Sequence, residues 1–238
     1  MKKILIFSTF DNFYLKDLLL NMSKNSKFKF NYILTNEYTN LKSILMRLFT
    51  LGILNSIKFL LLNIYKILIR DNLLNNLNQK DVLNFKDEEK IVKYIKKNKI
   101  DLIMSINYPR KISKKIINAT KFGGINCHLG KLPKYAGKFP IIRALMNKED
   151  HIYTTTHFMD DKFDTAKIIK EKKMKLLNQN IIQLYFQIHR LSLVLIMQTL
   201  EVVFKKKANK KVLRKGDKTV YKNLKLLQIL KFKYFGLN

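Results

Sequence analysis

Asn126 and His128 stand two residues apart in the segment Gly124-Ile125-Asn126-Cys127-His128, and Asp164 follows in an acidic stretch downstream. On an extended strand this spacing turns Asn126 and His128 to one face and Cys127 to the other. A side-chain amide can donate to an oxygen that gains negative charge, and an imidazole titrating near neutrality can carry a proton. A carboxylate nearby orients the ring and stabilises its charged form. Strand-end Asn and His beside a loop Asp thus form an amide-donor and acid–base set for a crevice.

The residues around this set are as informative as the set itself. Leu129–Pro140 holds two of the three prolines (Pro133, Pro140) and two of the seven glycines (Gly130, Gly137). In a chain so poor in both, that concentration marks a shaped, irregular loop. Thr156-His157-Phe158-Met159-Asp160-Asp161-Lys162-Phe163-Asp164-Thr165 then reads as a strand running into an acidic loop. His157, on that strand, reads as a packing or supporting residue, and His151 and His189 read as surface. Cys127 beside His128 suggests a metal site or a thiol nucleophile, but opposite strand faces argue against both.

Residues 2–8 and 28–35 read as strands around a helix from about Asn12 to Lys24, whose Leu15, Leu18, Leu19 and Met22 form one stripe. Strand, helix, strand in that order gives a right-handed parallel unit. Residues 42–70 read as basic helices with many apolar positions. The longest uncharged run there, Leu48–Ile57, is ten residues, well short of the roughly 20 that a membrane span needs. A helical insertion packed on the domain is the favoured reading, and a surface-lying amphipathic helix is the alternative. Further elements are a short strand at Val82–Asn84, a helix opened by Asp87-Glu88-Glu89, a strand Asp101–Ile106 and a short helix Ser113–Thr120. After them come a strand Gly123–His128, a helix Pro140–Met146, strands Tyr153–Met159 and Ala166–Glu171, and a long helix Ile181–Phe204 with a basic tail. Alternating strands and helices give an α/β, Rossmann-like fold: a mostly parallel twisted sheet with flanking helices, a helical insertion near 42–70 and a helical C-terminal region. Its ligand crevice belongs at the carboxyl ends of the strands. The expected division is a catalytic domain over 1–175 and a helical extension over 176–238.

The chain has 238 residues, a net charge of +30 and one cysteine. That lone thiol has no internal partner, and the short apolar run after Met1-Lys2-Lys3 is no signal-peptide core, so the expected location is the cytoplasm. The charge suggests a polyanionic partner. Of the 47 basic residues, however, only Arg47, Arg70, Arg110, Arg143, Arg190 and Arg214 are arginine. Lysine spread along a chain rich in Ile and Asn fits A·T-rich codons better than a nucleic-acid patch, where Arg is favoured.

The ordered set of motifs resembles the folate-dependent formyltransferase family. The resemblance rests on Asn126-Cys127-His128, the loop Leu132-Pro133-Lys134-Tyr135-Ala136-Gly137, and His157-Phe158-Met159-Asp160-Asp161-Lys162-Phe163-Asp164-Thr165, and it is strongest over residues 100–172. It implies a formyltransferase fold with Asn126, His128 and Asp164 as the catalytic trio and 10-formyltetrahydrofolate as co-substrate, with no metal. Tyr108, Arg110, Lys111, Ile112, Asp160, Asp161 and Phe163 would then contact the folate, and Ser8, Lys134, Tyr135 and Gly137 the acceptor. The chain departs from the family's pattern at Leu129, Ala136, Lys162 and Ala166.

Three acceptor classes are compatible with the resemblance. Ser8-Thr9-Phe10-Asp11-Asn12-Phe13 lacks the glycines of the phosphate loop in glycinamide ribonucleotide formyltransferases. The residues after the last core strand read as helix and basic tail rather than the β-barrel of methionyl-tRNA formyltransferases. By elimination the favoured acceptor is a nucleotide-linked amino sugar for bacterial surface polysaccharide or O-antigen synthesis, with no specific nucleic acid and no transmembrane segment. The oligomeric state stays open, a homodimer included. The remaining alternative is a non-catalytic basic protein that binds membrane or nucleic acid.

Overall fold

A computed structural model describes residues 1–10, 14–35, 53–69, 73–159, 167–177 and 180–205. The expected site residues Asp160, Asp161, Phe163 and Asp164, the helical stretch 42–52 and the basic tail lie outside the described residues. In chain order the strands are β1 (Lys2–Thr9), β2 (Phe28–Thr35), β3 (Val82–Leu83), β4 (Leu102–Ile106), β5 (Gly124–His128), β6 (His151–Phe158) and β7 (Ile168–Lys175). The helices used below are α1 (Leu15–Ser23), α2 (Ile53–Leu68), α3 (Leu73–Asn76), α4 (Glu88–Asn98), α5 (Lys114–Asn118), α6 (Pro140–Met146) and α7 (Ile181–Phe204).

The seven strands form one sheet in the order β3-β2-β1-β4-β5-β6-β7. Pairing is parallel from β3 through β5 and antiparallel for β5–β6 and β6–β7. β1 over Ile4–Phe7 and β4 apart from Ser105 are apolar on both faces, because both of their faces are covered. Ile4 and Ile6 enter one core with Leu15, Leu19 and Met22 of α1 and Ile196, Leu200 and Val203 of α7. Leu5 and Phe7 enter the opposite core with Ile91 and Ile95 of α4 and Ile116 and Ile117 of α5. β5 obeys the same alternation only in part. Ile125 and Cys127 join the α1/α7 layer, while Asn126 and His128 interrupt the apolar pattern on the other face.

Local signals place the covering helices. Asp87 caps α4 by accepting from the Glu89 N–H, Glu88 and Glu89 lie in its first turn, and Lys96 and Lys97 in its last, so charge complements the dipole at both ends. Ser113 caps α5 and Asn180 caps α7 in the same way. α7 is long and apolar enough to cross a membrane by length and composition. Its buried stripe, from Ile181 through Leu184, Ile188, Leu195 and Leu200 to Val203, instead packs on the domain.

A seam of hydroxyl groups joins α7 to β6. Ser192 Oγ donates to the Ile188 carbonyl at 2.7 Å and lies 2.9 Å from Thr154 Oγ1, which lies 3.6 Å from Cys127 Sγ. Because a carbonyl only accepts, the Ser192 proton is committed to Ile188. Thr154 must then donate to Ser192 and accept from the Cys127 thiol. Thr199 repeats the pattern, donating to the Leu195 carbonyl and pairing with Thr156, both at 2.7 Å.

Three expectations need correction. β7 runs four residues beyond Glu171, to Lys175, because it pairs along the whole of β6. His189 is buried rather than at the surface: its ring stacks on Tyr14 at 5.5 Å, and its Nδ1–H donates to the Tyr185 carbonyl. Leu60, Leu61, Tyr65 and Leu68 of the insertion helix α2 are exposed rather than packed on the domain.

The hydroxyl seam yields a stability test. Ser192→Ala strands the Thr154 hydroxyl in the core and should cost about 1–3 kcal/mol in urea denaturation. Thr154→Val combined with Ser192→Ala should recover part of that loss, because the hydroxyl that had lost its acceptor is then gone.

Candidate active site

The sheet order reverses at β1: the chain leaves β1 for β2 and β3 on one side and returns to β4 on the other. Such a switch opens a crevice at the carboxyl ends of the strands. Thr9 ends β1 there, and Asn107, with φ 52°, turns the chain out of β4 into Tyr108–Ile112. The Tyr108 ring meets Phe7 edge-on at 5.3 Å, and Ile112 is buried in the α4/α5 layer, so these two side chains anchor the segment. Arg110 and Lys111 are exposed between them. Ser8, expected at the acceptor, is fully buried, and its hydroxyl donates to the Ile106 carbonyl at 2.8 Å. That corrects its role to a tie between β1 and β4. The Thr9 hydroxyl beside it is buried and, like that of its register partner Thr35, has no hydrogen-bond partner among the described residues.

One strand over, β5 presents Asn126 and His128. Antiparallel pairing sets Asn126 opposite His157 and His128 opposite Thr155. The Asn126 amide nitrogen lies 3.1 Å from His157 Nε2, while His157 Nδ1 lies 2.7 Å from the Phe158 carbonyl. The carbonyl requires Nδ1 to carry the proton, so in the neutral ring Nε2 is an acceptor and the Asn126 N–H donates to it. The amide therefore has a defined orientation, with its nitrogen and not its oxygen turned to His157.

His128 is fixed by the loop that follows it. Its Nε2 lies 2.7 Å from the Tyr135 carbonyl, so Nε2–H is the donor and the lone pair of the neutral ring sits on Nδ1. Thr155 Oγ1 donates to the Gly130 carbonyl at 2.7 Å, and the Tyr135 N–H to the Lys131 carbonyl at 2.8 Å. Gly130 must be glycine, because a Cβ there would lie 2.5 Å from Pro140 Cβ and 2.9 Å from His128 Nε2. Gly137, with φ 93°, takes the left-handed turn that ends the loop.

Tyr135 was expected to face the acceptor, and its side chain does not. It is buried with Ile141, Ala144, Ile152, Leu184 and Ile188. Its hydroxyl donates to Glu149 at 2.6 Å and accepts from Asn147 Nδ2 at 3.0 Å. Lys134, also expected at the acceptor, pairs with the same Glu149 carboxylate. The Lys134 and Tyr135 donors hold the Glu149 carboxyl below its ordinary range, and the pairing with Glu149 holds the Lys134 ammonium above its own. Burial raises the Tyr135 phenol. Burial also pushes the Cys127 thiol up to about 11, so the lone cysteine is a neutral core group and not a nucleophile.

Sequence reasoning missed Glu149, Asn147, Thr155 and the unpaired Thr9 hydroxyl. One signal for Glu149 was available: with 17 acids against 47 bases, each acid invites a search for the group that it holds. Among the described residues no cluster of His, Cys, Asp and Glu has the makings of a metal site.

The family model "Formyl transferase" matches residues 73–199 of this chain. A methionyl-tRNA formyltransferase of Mycoplasmopsis pulmonis is 33% identical over 132 residues, which cover 54% of this chain and 46% of that protein. The chain spans less than half the length of the curated relatives that it matches first. Its fold is similar to that of a sugar N-formyltransferase from a Shewanella species, with a TM-score of 0.60 at 18% identity over 98% of this chain and 88% of that one. It is also similar to a formyltransferase from Anoxybacillus kamchatkensis solved with a UDP-linked formamido sugar and tetrahydrofolate, with a TM-score of 0.51 at 17% identity over 90% and 82% of the two chains.

The Glu149 cluster carries a pH signature. A depressed carboxyl stabilises the fold fully above its ordinary value of 4.5 and loses that contribution as pH falls through its lowered value. Glu149→Gln should therefore be less stable than the parent chain near neutral pH, and the gap should narrow as pH drops below 4.5, as urea denaturation at the two pH values reads directly.

Proposed function

This chain belongs to the formyl transferase family, and we propose that it moves a formyl group from 10-formyltetrahydrofolate to the amine of a nucleotide-linked sugar. The observation that carries the reading is the pair of fixed orientations on one face of β5: the Asn126 amide held by His157, and the His128 ring held by the Tyr135 carbonyl. Together they present a preset N–H donor and a ring nitrogen with its lone pair on Nδ1, on one strand face.

The folate supplies an activated formyl carbon. Asn126 donates to the formyl oxygen as that oxygen gains negative charge, and its set orientation means that little reorganisation is needed at that moment. His128 Nδ1 takes the proton that the attacking amine must lose and passes it toward the departing folate nitrogen. While that proton is on the ring both nitrogens carry hydrogens, Nε2–H keeps its bond to the Tyr135 carbonyl, and the charge needs a counter-ion. Asp164 is proposed for that part, from its place in the motif. Exposed Arg110 and Lys111 beside the switch-point crevice suit the carboxylates of a folate tail.

The sugar acceptor is favoured by the fold likeness to the Shewanella sugar enzyme, which runs through nearly the whole of this chain. A second reading, formylation of methionyl-tRNA, is favoured by the curated relatives and by the net charge of +30.

The test is tetrahydrofolate release from 10-formyltetrahydrofolate with a panel of nucleotide-linked amino sugars and methionyl-tRNA. Turnover on a sugar supports the proposal, and turnover on tRNA alone overturns the acceptor. Asn126→Ala should lower kcat by about 10²–10³, and His128→Ala by about 10²–10⁴. Asp164→Ala should also lose turnover while the melting temperature holds. His157→Phe, which keeps bulk but removes the acceptor for Asn126, should lower kcat with little change in KM. His157→Gln, which restores an acceptor, should recover most of it. Equal losses in the two His157 variants would show that His157 acts by packing alone.

A further inference from the structure

α2 turns a row of apolar residues outward. Ile57, Leu60, Leu61, Ile64, Tyr65 and Leu68 are 47%, 59%, 59%, 45%, 59% and 75% exposed. At the pitch of an α-helix these six gather on one side, within roughly two-fifths of its circumference. A soluble domain seldom shows so continuous an apolar surface unless something covers it.

Charge selects among the coverings. From Tyr38 to Arg70 the sequence contains no acidic residue, while Lys42, Arg47, Lys58, Lys66 and Arg70 are all basic. Lys58 is exposed on α2 itself. A second copy of the chain would meet this helix through the same surface on both sides if the pair closed by two-fold symmetry. It would then set basic residues against basic residues with no acid in the segment to offset them, an arrangement that opposes association. An anionic lipid surface answers both properties at once. Acyl chains receive the apolar face, and the negative headgroup layer receives the lysines and arginines that flank it.

We infer that α2 is a membrane-docking helix that lies in the headgroup layer of an anionic bilayer and holds the enzyme at that surface. The helix shares no residue with the β5 site, so docking and catalysis are separable.

Co-sedimentation of the full chain with vesicles tests this, using equimolar phosphatidylglycerol and phosphatidylcholine against phosphatidylcholine alone. The chain should pellet with the anionic vesicles and far less with the neutral ones. Leu61→Asp combined with Leu68→Asp should weaken that binding at least about tenfold, since each change removes an inserted side chain and adds a repelled charge. The variant's melting temperature and formyl transfer in solution should match the parent. Undiminished binding by the variant would overturn the inference, because the lysines spread over the rest of the chain would then account for it. A parent chain that ignores vesicles but is a dimer by sedimentation velocity, and is made monomeric by the same substitutions, would overturn it in favour of a second copy.

Discussion

The antiparallel register of β6 on β5 is the constraint on which the site depends. It sets Asn126 opposite His157 and His128 opposite Thr155, and one of those pairs orients the amide while the other ties down the loop that orients the imidazole. The same register sends Cys127 to the opposite face, where it ends the hydroxyl seam with Thr154 and Ser192. A slip by one residue would exchange the two faces. It would bring Thr154 and Thr156 of β6 to the crevice face beside Asn126 and His128 and turn Thr155 and His157 toward α7. The switch from parallel to antiparallel pairing is therefore part of the site, because β6, running back along β5, brings His157 and Thr155 level with Asn126 and His128.

The loop between those strands works through its backbone. Tyr135 contributes its carbonyl to His128 and buries its ring, so the side chain sets the position and the peptide group makes the contact. Glu149 secures Tyr135 and Lys134 from the turn before β6. Gly130 lets the loop pass against His128 with no room for a methyl group. The imidazole is thus held by packing, by a carbonyl and by an ion pair that never touches it. Such layered support is what positions a reacting group closely enough to matter.

Much of this was legible in the residues. The strands at 2–8 and 101–106 were readable from their apolar residues, and the spacing of Asn126 and His128 gave their shared face. The acidic run Asp87-Glu88-Glu89 marked where one helix begins. What periodicity could not reveal were contacts set by long-range pairing. His157 on Asn126, Glu149 on Tyr135 and Ser192 on Thr154 each join residues that no local pattern connects. His189 misled because a histidine without a motif looks like surface, whereas the stacking of Tyr14 on its ring buries it. Ser8 and Tyr135 misled differently, since a motif gives position in the chain and leaves open which atoms face the crevice.

The outermost strand, β7, has a further consequence. Its sequence Ile168-Ile169-Lys170-Glu171-Lys172-Lys173-Met174-Lys175 lays four lysines along the edge of the sheet. At the other edge β3 is only two residues long. An exposed strand is a template on which other chains can polymerise, and lysine or brevity is how natural sheets spoil the template. Crowded copies of this molecule should therefore resist growing into cross-β fibres from either side. That tolerance suits a protein concentrated on a surface.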